Sequence, residues 1–242
     1  MSERLEPELA ALAAARPKVP PVSARLAAET ANAGAVRTRR PRRQLAILVV
    51  ASLVYAAGVL ALLRIRADVA EVPLAWIATV AGAWLAGFVV TLALVVVPPR
   101  GSMFPRWQIA RLVAIVAAIG FVTLGLLVHP SGPSSLIYGW ENLVRGHACL
   151  EIGLGVALVP IIIGAIAMRR AQVVRPRTIA FALGAGSGCL GGLLLHFFCK
   201  IADGPHIGLI HGGVVAVAGL LTALVVPRVI DGGRRNISRT AA

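Results

Sequence analysis

Ala180–Gly213 reads AFALGAGSGCLGGLLLHFFCKIADGPHIGLIHGG, and the reading of this stretch decides the fold. Ala180 to Phe198 contains no Lys, Arg, Asp or Glu, and a second apolar run begins at His206. Between them, 199–205 supplies Lys200, Asp203, Gly204 and Pro205, the residue types that interrupt helices. The expectation is two membrane helices joined by a tight turn. At about 100° per residue, Gly184, Gly188 and Gly192 drift round one stripe, Gly191 flanks it, and Cys199 returns to the same side. Small residues at such spacing let membrane helices approach closely, so Gly184, Gly188, Gly191 and Gly192 are expected to be packing residues, in a groove that leads to a thiol.

Composition widens that reading to the whole chain. Of 242 residues 58% are hydrophobic and 14% charged, with a mean hydropathy of +0.84, outside the range of soluble domains. The net charge of +14 comes almost entirely from arginine, since Lys18 and Lys200 are the only lysines. No basic stripe is interleaved with aromatics, which argues against direct nucleic-acid binding. The first apolar run follows Gln44 and ends at Arg64 without an A-x-A site, so it is expected to stay in the protein as a helix.

Six runs have the length a bilayer helix needs: Gln44–Leu63, Pro73–Val97, Trp107–Val128, Cys149–Met168, Thr178–Phe198 and His206–Val226. Basic residues number nine before the first run, then three, four and four in alternate gaps, but two, one and one in the others. By the positive-inside rule both termini are then cytoplasmic. The fold class is all-α, a polytopic membrane protein of six spans, with an N-terminal segment 1–43, a membrane domain 44–227 and a short basic tail 228–242. In the first segment Leu5, Leu9 and Leu12 recur at helical spacing, a stripe too short to be stable alone, which either stays a disordered leader or docks on a partner. Trp76, Trp84, Trp107 and Trp140 include candidates for the interfacial belt, and Pro160 is expected to kink the fourth span.

With this topology His129, His147, His196, His206 and His211, together with Cys149 and Cys199, all fall in the outer half. Cys149 opens the fourth span and Cys199 closes the fifth, at one depth, where a disulfide requires only neighbouring helices. Cys189 lies ten residues earlier, roughly 15 Å deeper, and reads as a packing residue. A redox-active pair, a metal-ligand role and inert burial all remain open for Cys149 and Cys199. His196, His206, His211 and His147 are the candidate imidazole ligands; His196 and Cys199 stand i, i+3, whereas His206 and His211 stand i, i+5 rather than the i, i+4 of helical metal pairs. Glu151, costly in lipid, is expected to face the bundle or pair with a cation or imidazole. Beyond a soft metal ion acting as a signal, no cofactor is expected.

The pattern resembles the six-helix membrane anti-sigma factors called negative regulator of sigma F. The resemblance rests on the cytoplasmic N-terminal segment, the six spans, Ala148-Cys149-Leu150-Glu151 and, most specifically, the Gly-rich fifth span running into Leu195-His196-Phe197-Phe198-Cys199. Where that family has Cys-Pro after the fifth span, this chain has Cys199-Lys200. The resemblance implies a protein of the bacterial inner membrane, not an enzyme. Its N-terminal segment would hold an extracytoplasmic-function sigma factor until oxidative or heavy-metal stress acts at the periplasmic Cys149 and Cys199. The competing classes are a small transporter or channel, which would usually show intramembrane charges or broken helices, and a thiol-redox membrane protein, which would favour C-x-x-C.

Overall fold

The computed structural model describes residues 40–97, 104–127, 140–169, 175–201 and 203–240. Leu5, Leu9, Leu12 and His129 lie outside these residues. Helix α1 spans Pro41–Leu63, and a single 3-10 turn at Ala67–Ala70 leads to α2, Leu74–Val96. Then come α3, Arg106–Leu127; the short α4, Trp140–Arg145; α5, His147–Arg169; and α6, Pro176–Phe198. A π-helical turn, His206–Gly212, runs directly into α7, Gly213–Thr240. Among the described residues six stretches are long and apolar enough to cross a membrane: α1, α2, α3, Asn142–Met168, α6 and His206–Arg228. Each expected span is present with ends shifted by a few residues, except that α7 continues to Thr240 instead of ending near Val226.

Helix α6 is the axis of the bundle. From Ala182 to Gly192 every residue is buried, whereas α1, α3 and α7 turn Val54, Leu62, Ile119, Leu127, Leu220 and Leu224 outward. In water such faces would drive association; around a membrane bundle they are the lipid-facing surface. Because lipid is as apolar as leucine, the helices are held by close packing rather than by expulsion of water. The glycines of α6 supply that packing in several directions. A Cβ on Gly188 would stand 2.7 Å from Val215 Cα in α7, and one on Gly192 would run into the indole of Trp84 in α2. Gly184 meets Ala218 and Thr222 of α7, and Gly191 meets the backbone of Gly153 in α5. Gly184, Gly188 and Gly191 thus form a stripe against α7, with Gly191 also touching α5, while Gly192 turns to α2, because a central helix needs small residues toward more than one neighbour.

Trp84 also departs from expectation, being buried and stacked on Phe121 of α3 with centroids 3.6 Å apart. It is a mid-bundle packing residue, not part of an interfacial belt. Helix α5 runs through Pro160 without ending. Two buried serine hydroxyls bond within their own helices, Ser52 to the Leu48 carbonyl at 2.6 Å and Ser187 to that of Leu183 at 2.8 Å. Cys189 is fully buried and free, as a packing residue should be. At the arginine-rich end, Trp107 lies under the guanidinium groups of Arg111 and Arg175, at 5.4 and 4.7 Å from its ring centroid.

A thiol and imidazole cluster as candidate functional site

Four side chains meet at the end of the bundle opposite Trp107. Cys149 lies in the first turn of α5. Cys199 caps α6, its backbone N–H bonded to the Leu195 carbonyl and its own backbone already extended at φ −81° and ψ 125°. Their Sγ atoms are 3.6 Å apart, and both thiols are free and buried. The π turn contributes His206 and His211, 0% and 4% exposed, whose rings meet edge to face with centroids 5.0 Å apart. One ligand atom from each of Cys149, Cys199, His206 and His211 lies within 4.8 Å of every other.

The π turn explains why the spacing misled. In an α-helix residues five apart point about 140° away from one another. When the backbone bond closes i to i+5, those same residues come one above the other, and single π turns concentrate at functional sites. The wider turn needs room, which glycine provides: a Cβ on Gly208 would stand 2.7 Å from the Val122 carbonyl oxygen, and one on Gly212 2.8 Å from the Val122 nitrogen, both in α3.

Hydrogen bonds fix one of the imidazoles. His206 places Nδ1 3.0 Å from the Asn142 carbonyl, a group that only accepts, so Nδ1 carries the proton. Its Nε2 then holds the lone pair and lies 3.4 Å from Cys199 Sγ. His211 Nε2 is buried with no hydrogen-bond partner among the described residues, and a buried polar atom left so calls for explanation. The thiol of Cys199 is held above its ordinary range, first by the hydrogen bond with Cys149 and then by burial, while the imidazoles of His206 and His211 pull it down.

The connection between α1 and α2 closes over this end. The Arg66 backbone N–H donates to the Phe197 carbonyl at 2.9 Å. Its guanidinium grips both carboxylate oxygens of Asp68, at 2.7 and 2.6 Å. That bidentate bond raises the pKa of Arg66 and lowers that of Asp68.

Three expected ligands do not join. His147 is exposed, with Nδ1 2.9 Å from the Val144 carbonyl. His196 reaches across to the Ile77 carbonyl of α2 at 3.3 Å; its i, i+3 relation to Cys199 carries no shared face because Cys199 has already left the helix. Glu151 is exposed, at the rim of a cavity of about 500 Å³ lined by α5 and α7. Two residues from Cys149 on an α-helix is a turn of about 200°, so a buried Cys149 sends Glu151 outward. Two contributors had escaped the sequence reading, Asn142 and Asp203. Asp203 had a legible signal, an acid immediately before Gly204-Pro205 and an apolar helix, which is the pattern of an N-cap.

A helical bundle of six potential spans, with two thiols and two imidazoles closing on one another at one end, defines a multi-pass membrane protein with a buried thiol–imidazole site. The chain belongs to the family described as negative regulator of sigma F, whose model matches residues 29–231 and so takes in all six spans and all four cluster residues. By family it is a negative regulator of a sigma factor. No curated protein and no solved structure matches it.

Proposed function

We propose that this protein is an anti-sigma factor of the bacterial inner membrane, and that it releases an extracytoplasmic-function sigma factor when the cluster at Cys149 and Cys199 is oxidised or takes up a soft metal ion. The observation that carries this reading is the convergence of Cys149, Cys199, His206 and His211 within 4.8 Å. By the positive-inside rule the arginine excess of the opposite end supports a cytoplasmic position for that end and a periplasmic one for the cluster, in a compartment where disulfides form. Residues 1–43, with Leu5, Leu9 and Leu12, are the arm that holds the sigma factor, and 228–242 is a basic cytoplasmic tail.

The two signals share one site. In oxidation the two thiols lose two protons and two electrons to an external oxidant and form one S–S bond, which needs an approach of about 1.5 Å from the present separation of 3.6 Å. In metal uptake, two thiolates and two neutral imidazoles form the closed S₂N₂ set that suits zinc or monovalent copper. His211 Nε2, without a hydrogen-bond partner among the described residues, supports the metal reading, since an ion would supply one. Oxidation draws α5 and the end of α6 together, metal uptake draws in the π turn as well, and the packing of α6 against its neighbours gives that movement a route through the bundle.

The test is a reporter of sigma-factor activity in cells carrying Cys149→Ser with Cys199→Ser. The variant should insert and repress but fail to respond to oxidant or soft metal; normal induction would end this reading. A pull-down on residues 1–43 addresses the arm separately, with a sigma factor among the captured proteins as the expected result.

A further inference from the structure

We propose that Asp203 and Asn142 form a positioning clamp for His206, holding its Nε2 toward the thiols and thereby setting the affinity of the site. The proposal rests on the reading of the cluster as a metal-responsive site and names the residues that make that site stiff.

The clamp is a closed ring of three hydrogen bonds. Asp203 stands where the chain enters the last helix; its carbonyl accepts from the Ile207 backbone N–H at 3.0 Å, the first helical bond. Its carboxylate Oδ1 accepts from the His206 backbone N–H at 2.8 Å, as an N-cap does. The other oxygen, Oδ2, accepts from Asn142 Nδ2 at 2.8 Å. Asn142 completes the ring by accepting at its backbone carbonyl from His206 Nδ1. One residue therefore receives its backbone position from Asp203 and its ring orientation from Asn142, and the two partners are bonded to each other.

This ring has two consequences. First, it selects the tautomer: with the proton on Nδ1, the lone pair is on Nε2, the nitrogen that faces Cys199 Sγ. A ligating histidine ordinarily donates its second ring N–H to a carbonyl or carboxylate, and such partners tune the ligand's basicity and direction. Second, it ties α4, at the start of the fourth span, to the turn before the sixth. The cluster is thus braced from the side that neither cysteine reaches. Among the described residues His211 has no such brace, which makes His206 the more firmly held imidazole of the pair.

The experiment uses the full-length protein in lipid nanodiscs, titrated with Zn²⁺ against a chromophoric chelator and with Co²⁺, whose visible bands report tetrahedral thiolate and imidazole coordination. Asp203→Ala should lower Zn²⁺ affinity by about 10–100-fold, the cost of a lost outer partner. Asn142→Asp should do at least as much harm, because it sets two carboxylates face to face. Exchanging the pair, Asn142→Asp with Asp203→Asn, keeps every hydrogen bond of the ring with amide and carboxylate transposed, and should restore both the affinity and the Co²⁺ spectrum. General damage to the fold is not repaired by such an exchange, so the comparison holds even if Asp203→Ala fails to fold. Wild-type affinity in Asp203→Ala, or an exchanged pair no better than Asn142→Asp alone, overturns the clamp. Absence of Zn²⁺ and Co²⁺ binding in the wild-type protein overturns the metal reading and the clamp with it, and is distinguished because it shows before any variant is made.

Discussion

Replacing Gly208 by alanine is expected to destabilise the protein, and the structure sets the size of the effect. The new Cβ would stand 2.6 Å from Leu126 Cγ, 2.7 Å from the Val122 carbonyl oxygen and 2.9 Å from the Leu126 nitrogen. Two of these are backbone atoms of α3 and cannot rotate away. With carbon contacts optimal near 3.5–4.0 Å, the π turn must retreat by about 1 Å. Overpacking of this kind costs about 1–3 kcal/mol. At about 2–4 °C per kcal/mol for a chain of this size, the midpoint should fall by about 2–12 °C. Gly213, five residues on, provides the control, because nothing lies within 4 Å of its Cβ position. Alanine there should be neutral or stabilise by up to about 1 kcal/mol through lost backbone freedom in the unfolded chain. Thermal unfolding of both variants in nanodiscs isolates the contact, since each adds one methyl to one helix. A second readout follows from the retreat: Gly208→Ala carries His206 and His211 away from the thiols, so Zn²⁺ affinity should fall in that variant and not in Gly213→Ala. Equal midpoints and equal affinities for the two variants would refute the argument that the π turn is fixed by its approach to α3.

Ligand assignment is open to a histidine series: His206→Ala and His211→Ala should each weaken Zn²⁺ binding by more than the 10–100-fold expected for an outer partner, whereas His147→Ala and His196→Ala should leave it unchanged. Oxidation followed by peptide mapping should show Cys149 joined to Cys199, with Cys189 recovered as a free thiol that alkylates only after unfolding, in keeping with its complete burial. The Arg66–Asp68 pair predicts a small acid-sensitive contribution to stability. The Asp68 carboxyl is lowered in the folded protein, so its stabilisation is present above the unfolded carboxylate value and is lost as pH falls through the folded one. Asp68→Asn should remove that acid limb at a cost of no more than about 1 kcal/mol, diminishing with salt, because Asp68 is a third exposed. At the other end, Trp107→Ala should cost about 0.5–1 kcal/mol per lost cation–π contact, measured by the same unfolding assay, while leaving metal affinity untouched.

Length, composition and charge order are properties of the chain itself, and they determined that this protein is a bundle of six potential membrane helices with its arginines concentrated at alternate gaps. Cys149 and Cys199 were also placed by the chain alone, because each marks the end of a span and spans of equal length bring their ends to the same level. Periodicity fails where the helix stops being an α-helix or stops altogether. His206 and His211 looked mismatched at i, i+5 and were brought together by a π turn; His196 looked matched to Cys199 at i, i+3 and was separated because the thiol lies past the last helical residue. The glycines of α6 show the same limit in packing: a stripe on one helix cannot say how many neighbours surround it, and here the helix is enclosed. Asp203 and Asn142 became visible only in the fold, since residues 61 apart in the chain share a hydrogen bond that no local pattern records. The sequence alone determined which residues reach the end of the bundle that holds the site; tertiary structure alone decided which of them face one another there, because facing depends on helix rotation and turn geometry that only packing fixes.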